Sequence, residues 1–149
     1  MGGSAQYETN MLELIIHTSI EYPVMQYISR AILLVDDEPD IACLFKLYLE
    51  EYGYRVYMYT DPLKALSEFR AGLYGLALLD VRMPHMSGFE LYEKIHRIDD
   101  ACKVCFITAF EIYYRSLREF FPHLDVTCFI RKPVSKEGLL DHVAAELNS

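Results

Sequence analysis

The stretch AILLVDD, residues 31–37, decides the fold of this chain. Its first five residues form a short, continuous apolar run, which is typical of a strand that is buried on both faces. The stretch LALLD, Leu76–Asp80, repeats the pattern of an apolar run that ends in an acid. Strands of this kind belong to parallel sheets whose two faces are covered by helices. The two stretches therefore predict a parallel sheet with acidic residues at the carboxyl ends of its strands.

Strands and helices are predicted to alternate along the chain from Arg30 onward. We expect five strands, at Ala31–Val35, 54–59, Leu76–Asp80, Lys103–Thr108 and 126–130. Helices with apolar residues at helical spacing follow the strands, at 39–52, 61–72, 87–98, 112–121 and 135–147. Consecutive strand–helix units favour the α/β class, with a doubly wound parallel sheet and helices on both faces. The functional site of such a sheet lies at the carboxyl ends of its strands, near the topological switch point.

Length, composition and charge limit the classes of protein to consider. The chain has 149 residues, of which 52% are hydrophobic and 24% charged, and this is the composition of a single globular domain and not of a disordered protein. The formal net charge of −8 argues against nucleic acid and against anionic membranes as direct partners, because both are negatively charged.

The first 29 residues differ from the rest, so we place the domain at 30–149. Residues 1–4 resemble a flexible lead or a cloning scar. Residues 11–28 are apolar, but they lack the basic region of a signal peptide, and Glu13, His17, Glu21 and Pro23 interrupt any membrane-spanning helix. Two interpretations stay open: a loosely packed leader or upstream start, and a docking segment for a partner or a second copy.

Polar residues stand at every predicted strand end, namely Asp36, Asp37, Thr60, Asp61, Asp80, Thr108 and Lys132. The ends of the first, third, fourth and fifth strands supply three carboxylates, one hydroxyl and one ammonium group. Three neighbouring carboxylates repel one another unless a hard cation lies among them, and oxygen ligands suit Mg²⁺. One carboxylate could then attack a phosphorus atom and form an aspartyl phosphate. The lysine would clamp the transferring phosphoryl group, and the threonine hydroxyl would donate a hydrogen bond to it.

The motifs around these residues resemble those of response-regulator receiver domains. They are, in chain order, Val35-Asp36-Asp37-Glu38, Leu79-Asp80-Val81-Arg82-Met83-Pro84, Ser87-Gly88-Phe89-Glu90-Leu91, Thr108-Ala109 and Lys132-Pro133. The resemblance covers residues 30 to 148. It implies a flavodoxin-like fold with five parallel strands in the order 2-1-3-4-5.

The resemblance also implies a role for each site residue. Asp80 would be the phosphoacceptor, and it would ligate Mg²⁺ together with Asp37 and the backbone carbonyl of Arg82. Asp36 would complete the acidic pocket through a water molecule.

The remaining roles concern the phosphoryl group and its lifetime. Lys132 would contact the phosphoryl group, and the peptide bond between Lys132 and Pro133 would be cis. Thr108, followed by Ala109, would move toward the phosphate, and Phe129 would be the switching aromatic. Two further positions would set the lifetime of the signal, Arg82 and Phe110.

By this resemblance the protein takes a phosphoryl group from a phosphohistidine of a sensor kinase or phosphotransfer protein. It would be cytoplasmic. It would not be an enzyme, and its only chemistry would be its own phosphorylation and slow autodephosphorylation. Output to a protein target would pass through the fourth helix, fifth strand and fifth helix, with a homodimer possible. The alternative is a pseudo-receiver that binds partners without being phosphorylated.

Each site residue also has a structural interpretation. Asp36 and Asp37 could merely begin a helix, Thr108 could be an ordinary strand residue, Lys132 a surface lysine and Phe129 static core.

Two other classes of protein fit the sequence poorly. A haloacid-dehalogenase-type phosphatase needs a second acid where Arg82 stands. A flavin protein needs a phosphate loop where residues 36–38 would repel the phosphate.

The four cysteines favour a reduced protein. Cys102 and Cys105 have the spacing of a redox or zinc motif, but on a strand their side chains point to opposite faces. Cys43 and Cys128 are expected to be small buried apolar residues.

The aromatic stretch from Phe110 to Pro122 suggests an interaction face.

Overall fold

Five parallel strands form one sheet in the computed structural model, which describes residues 31–109, 119–122, 124 and 128–149. The strands are β1 (Ala31–Val35), β2 (Arg55–Tyr59), β3 (Leu76–Asp80), β4 (Lys103–Thr108) and β5 (Cys128–Arg131). Their order is β2-β1-β3-β4-β5, and every neighbouring pair is parallel. The predicted fold class and strand order are therefore confirmed.

Helices connect the strands where proline and serine mark their first turns. They are α1 (Pro39–Glu51), α2 (Pro62–Ser67), α3 (Gly88–Ile98) and the C-terminal helix α4 (Lys136–Leu147), which is the fifth helix of the sequence prediction. Ser87 caps α3 in a reciprocal capping box with Glu90, and the Ser135 side chain caps α4. The predicted helix at 112–121 lies largely outside the described residues, as does the leader at 1–29. None of the described helices combines the length and apolar character that a membrane span requires.

Helix α2 is shorter than predicted, because it ends at Ser67 and not near Gly72. The Ser67 hydroxyl donates a hydrogen bond to the Lys64 carbonyl oxygen at 2.9 Å. The Glu68 amide still donates a helical hydrogen bond to the same oxygen at 3.0 Å, but the Phe69 amide donates to the Leu66 carbonyl oxygen, only three residues back, at 3.2 Å. Phe69 therefore follows the helix in a turn, where its ring packs 5.2 Å from the ring of Tyr74.

The core has two layers, one on each face of the sheet. Strands β1 and β3 are buried along their whole length, as continuous apolar runs predict. Leu33 and Leu79 face one layer, which α3 closes, while Leu34 and Leu78 face the other, which α1 and α4 close. Burial on both faces fixes the register of the central strands, since a shift of one residue would exchange the two faces.

The cysteines differ in part from expectation. Cys102 and Cys105 contact opposite core layers, as predicted. However, Cys105 and Cys128 are register partners across β4 and β5, with Cα atoms 4.7 Å apart, and the structure joins them by a disulfide. Cys128 is therefore buried, as predicted, but in this structure it is paired with Cys105 and is not a free thiol. Cys43 is exposed and not buried, because it lies on the outer face of α1.

The loop between β3 and α3 passes unusually close to Asp80. The Gly88 amide donates a hydrogen bond to the Val81 carbonyl oxygen at 2.9 Å. A Cβ atom at Gly88 would collide with the backbone carbonyl of Asp80. Within the same loop, His85 adopts a φ of +71°, in the left-handed region that non-glycine residues rarely occupy.

Gly88→Ala should lower the free energy of unfolding by about 2–4 kcal/mol, because the new methyl group overlaps backbone atoms that cannot move independently. Gly72→Ala is the matched control, since a Cβ atom there meets nothing within 4 Å and only the φ of +79° is unfavourable. We expect the control to cost about 1 kcal/mol. Urea denaturation of both variants measures the difference, and equal losses would contradict the close approach.

Thiol counting tests the disulfide. In protein purified without reductant and then denatured, we expect two reactive thiols, from Cys43 and Cys102, and four after reduction. In the folded protein Cys43 should react first, because it is exposed while Cys102 is buried. The variant Cys43→Ser should remove one thiol from each count. Four thiols without reduction would show that the pair is not oxidised.

Candidate functional site

The functional side chains gather where the carboxyl ends of four strands meet. Asp36 follows β1, Asp80 ends β3, Thr108 ends β4 and Lys132 follows β5. Strands β1 and β3 are neighbours, with Val35 in register with Leu79, so Asp36 and Asp80 lie side by side. Parallel pairing brings together residues that stand far apart in the sequence.

Asp36, Asp37 and Asp80 form a tight acidic cluster. One carboxylate oxygen from each lies within 4.8 Å of the other two. Asp36 is fully buried and Asp80 is 5% exposed, whereas Asp37 is half-buried. Close carboxylates in a poorly hydrated place repel one another, so the cluster needs a compensating positive charge.

Lys132 supplies part of that charge from inside the protein. Its ammonium Nζ lies 2.6 Å from Oδ2 of Asp36 and 3.7 Å from Oδ2 of Asp80. The Lys132 amide donates a hydrogen bond to the Thr108 carbonyl oxygen at 2.8 Å, which fixes the turn after β5 to the end of β4. The peptide bond between Lys132 and Pro133 is cis, as expected.

The three carboxylates are not equivalent. Both oxygens of Asp36 are engaged, since Oδ1 accepts a hydrogen bond from the Glu38 amide at 3.0 Å and Oδ2 accepts one from Lys132. Asp37 is the most accessible of the three. An entering cation would therefore meet Asp37 and Asp80 more easily than Asp36.

Burial first, and then the negative charge of Asp36, raise the pKa of the Asp80 carboxyl from 3.8 to about 7. The Lys132 ammonium opposes this shift but does not cancel it. Asp80 is therefore much harder to ionise than an ordinary aspartate when no cation is bound. A carboxyl group with such a perturbed pKa, next to charged partners, is typical of a functional site.

The donor set fits a hard divalent cation. The clustered side chains offer only oxygen atoms, and the charge that they leave uncompensated is negative. Carboxylate oxygens of this kind suit Mg²⁺ or Ca²⁺ and not a soft metal, which would prefer sulfur or imidazole ligands.

The remaining predicted residues lie around the cluster. Thr108 is buried at the end of β4, and Ala109 follows it on the surface. Arg82 is exposed in the loop after Asp80. Phe110 lies outside the described residues.

Phe129 is half-buried and belongs to a chain of aromatic contacts. Its ring lies 5.4 Å from that of Phe106, which lies 4.7 Å from Phe89, and Phe89 lies 5.2 Å from Phe121. Phe89 directly follows Gly88, which touches the Asp80 backbone. The sequence did not identify Phe106 and Phe89 as neighbours of Phe129, because a core phenylalanine carries no local signal of its contacts.

The family model for the response regulator receiver domain matches residues 32–144. Among curated relatives, the uncharacterized transcriptional regulatory protein YkoG of Bacillus subtilis is 33% identical over 118 residues, which is 78% of this chain and 50% of YkoG. The transcriptional regulatory protein RprY of Bacteroides fragilis is 29% identical, over 78% of this chain and 48% of RprY. The chain thus spans half or less of these relatives.

Solved receiver domains have the same fold. A CheY-like receiver domain protein from Methanospirillum hungatei superposes with a TM-score of 0.68 at 30% identity, covering 80% of this chain and 94% of that one. The non-phosphorylated HemR receiver domain from Leptospira biflexa gives a TM-score of 0.71 at 29% identity, covering 80% and 94%. With the family model matching most of its length and the acidic cluster in place, the chain belongs to the response-regulator receiver domains of two-component systems.

Proposed function

We propose that Asp80 accepts a phosphoryl group from a phosphohistidine of a sensor kinase or phosphotransfer protein. The observation that carries the proposal is the position of this carboxyl group, beside two further acids and 3.7 Å from the Lys132 ammonium. Among the described residues, Asp80 is the carboxylate that both ends a strand and lies close to these charges. The exposed loop that follows it leaves a path for a donor.

The transfer is a displacement at phosphorus. An Oδ atom of ionised Asp80 forms the new bond to phosphorus while the bond between phosphorus and the donor imidazole nitrogen breaks, and its electron pair stays on that nitrogen. The reacting form of Asp80 is the carboxylate, and the raised pKa works against this form. A cation bound at the cluster would favour the carboxylate and so favour the reaction.

Asp37, Asp80 and the backbone carbonyl of Arg82 are the proposed ligands of Mg²⁺, with Asp36 acting through a water molecule. The engaged oxygens of Asp36 support its outer role. Bound Mg²⁺ would neutralise negative charge on the transferring phosphoryl oxygens. One relative in structure, TrrA from Thermotoga maritima, is described in complex with Mg²⁺ and a beryllium fluoride.

Lys132 is the proposed link between phosphorylation and the rest of the sheet. Its ammonium lies nearer Asp36 than Asp80 in this structure. Phosphoryl oxygens on Asp80 would compete for that ammonium and would attract the Thr108 hydroxyl. Movement at the end of β4 would then favour a new position of Phe129.

The remaining assignments follow from family membership. Arg82 and Phe110 would set the lifetime of the phosphorylated form, and the only chemistry would be self-phosphorylation and autodephosphorylation. YkoG and RprY are named as transcriptional regulatory proteins. For this chain we propose that output passes through protein contacts of the predicted fourth helix, β5 and α4. The same surface could form a homodimer.

The proposed location is the cytoplasm. Cellular thiol systems there keep cysteines reduced, so the Cys105–Cys128 bond is expected only in protein isolated in air.

The proposed receiver domain spans residues 30–149, and residues 1–29 precede it as an extension.

Intact mass after incubation with Mg²⁺ and a small phosphodonor tests the phosphoacceptor. We expect one added phosphoryl group, which Asp80→Asn and removal of Mg²⁺ should each abolish, because both the nucleophile and the cation are needed. Asp40→Asn is the matched control, since Asp40 is an exposed acid outside the cluster and should leave the adduct unchanged. No adduct with any donor would favour the pseudo-receiver, which binds partners constitutively.

The pH dependence of stability tests the Asp80 environment. Folded Asp80 keeps its proton up to about pH 7, whereas the unfolded chain releases it near 3.8. The folded protein therefore holds more protons between these values, and raising the pH through this window lowers its stability. Thermal unfolding with a chelator should show a falling melting temperature toward pH 8. Asp80→Asn should flatten this slope, and Mg²⁺ should restore stability above pH 7 in the wild type only.

A further inference from the structure

A cavity of about 390 Å³ opens between strand β2 and the turn that follows α2. Tyr57 and Tyr59 line it from the strand, and Phe69, Arg70 and Tyr74 are among the residues that line it from the turn. The cavity shares no residue with the acidic cluster, and the function proposed above uses none of its side chains. Its volume lies at the lower end of the range for ligand pockets, about 300–1,000 Å³, so it suits a small molecule.

Aromatic rings give the cavity a fixed shape. The Tyr74 ring is held from two sides, since it meets the Tyr57 ring edge to face at 5.5 Å and the Phe69 ring at 5.2 Å. The Tyr59 hydroxyl donates a 2.7 Å hydrogen bond to Oε2 of Glu68. This bond first, and then burial, raise the pKa of Tyr59 to about 12, so the hydroxyl stays protonated. Flat side chains that are already held in place suit a flat ligand, because little order is lost on binding.

Tyr74 presents an unpartnered hydroxyl group to this cavity. The residue is only 5% exposed, yet its hydroxyl forms no hydrogen bond with any residue in the described part of the chain, and neither does that of Tyr57. No fully buried polar side-chain atom of the described residues lacks a partner, so the Tyr74 oxygen is open to the space that the residue lines. Burial raises the pKa of Tyr74, which keeps it a donor. Polar groups in such buried places are normally hydrogen-bonded, and these hydroxyls can bond to a molecule in the cavity.

Arg70 adds a positive charge that no other described residue neutralises. It is exposed, and it forms no ion pair within the described ranges. Its guanidinium lies close enough to Tyr59 and Tyr74 to lower the pKa of both hydroxyls, against larger effects in the other direction. The guanidinium and the Tyr74 hydroxyl are therefore neighbours at the same cavity. A guanidinium of this kind binds a carboxylate through two parallel hydrogen bonds.

The charges around the cavity favour a singly charged anion over a cation. Glu68, the acid in the lining, already accepts the hydrogen bond from Tyr59. The Tyr57 ring already has the guanidinium of the exposed Arg55 at 5.2 Å from its centre, so a cationic ligand would meet a like charge there. Arg70 compensates one negative charge, and the net charge of −8 on the protein disfavours a doubly charged phosphate.

We infer that this cavity is a binding site for a small aromatic carboxylate. The ring of the ligand packs beside the rings of Tyr57 and Phe69, and its carboxylate accepts hydrogen bonds from the Arg70 guanidinium and the Tyr74 hydroxyl. This arrangement gives a partner to each polar group that the described residues leave without one. The inference does not depend on phosphorylation of Asp80, which the mass measurement described above tests separately.

A nuclear magnetic resonance titration of the full chain with benzoate tests the site. We expect the backbone amide signals of residues 57–59 and 67–74 to shift, and the dependence on benzoate concentration gives the Kd. Benzamide has the same ring without the charge, and it should bind about tenfold more weakly, because charged hydrogen bonds are lost. No shift at these residues, or equal binding of the two probes, would overturn the inference. Tighter binding of the cation benzylamine or of phenyl phosphate would contradict the proposed ligand class.

Two variants locate the carboxylate of the probe. Arg70→Gln should weaken benzoate binding about tenfold and remove the preference over benzamide, whereas Tyr74→Phe keeps the ring, removes one hydroxyl donor and should weaken binding about threefold. Arg97→Gln is the matched control, since it removes the same charge from an exposed arginine of α3 outside the cavity and should leave the Kd unchanged. Thermal unfolding checks that each variant is folded. Wild-type affinity for benzoate in folded Arg70→Gln protein would contradict the site.

Discussion

The buried ion pair between Lys132 and Asp36 is the interaction on which the site depends. Its atoms lie 2.6 Å apart in a place from which water is largely excluded. Three carboxylates without this ammonium would be expelled from the core or protonated, because unpaired buried charges are costly. The pair compensates only part of the charge, and the pKa of Asp80 stays raised because the carboxyl is buried and Asp36 is close to it.

The sheet is what permits this arrangement. Parallel strands send their carboxyl ends to one edge, so Asp36, Asp80, Thr108 and Lys132 meet although they span most of the domain. The two apolar layers fix the strand register on both faces and leave the polar residues at the strand ends. Gly88 then allows α3 to begin in contact with the Asp80 backbone, and the next residue, Phe89, packs against Phe106 in the core. A structural change at Asp80 would therefore affect side chains that are packed in the core.

Each of the three corrections to the sequence analysis has its own physical cause. Helix α2 ends early in a tight turn, in which the Phe69 amide donates to the Leu66 carbonyl oxygen, although the apolar spacing continues to Phe69. Cys43 faces outward because apolar side chains on the neighbouring helical positions, Ala42 and Phe45, already fill the inner face. The Cys105–Cys128 pair arises from strand register, which the spacing of cysteines along the chain does not reveal.

Sequence by itself determined the strand pattern, the order of elements and the identity of the polar residues at the strand ends, because burial on two faces leaves a continuous apolar run and an abrupt polar stop. It also determined which acids could act together, through motifs that occur in the expected order. Tertiary structure decided what distance and burial determine: that both oxygens of Asp36 are occupied, that Asp37 is the accessible acid, and that Tyr57, Tyr59 and Tyr74 enclose a cavity. These properties depend on contacts between residues remote in sequence, and no local pattern encodes them.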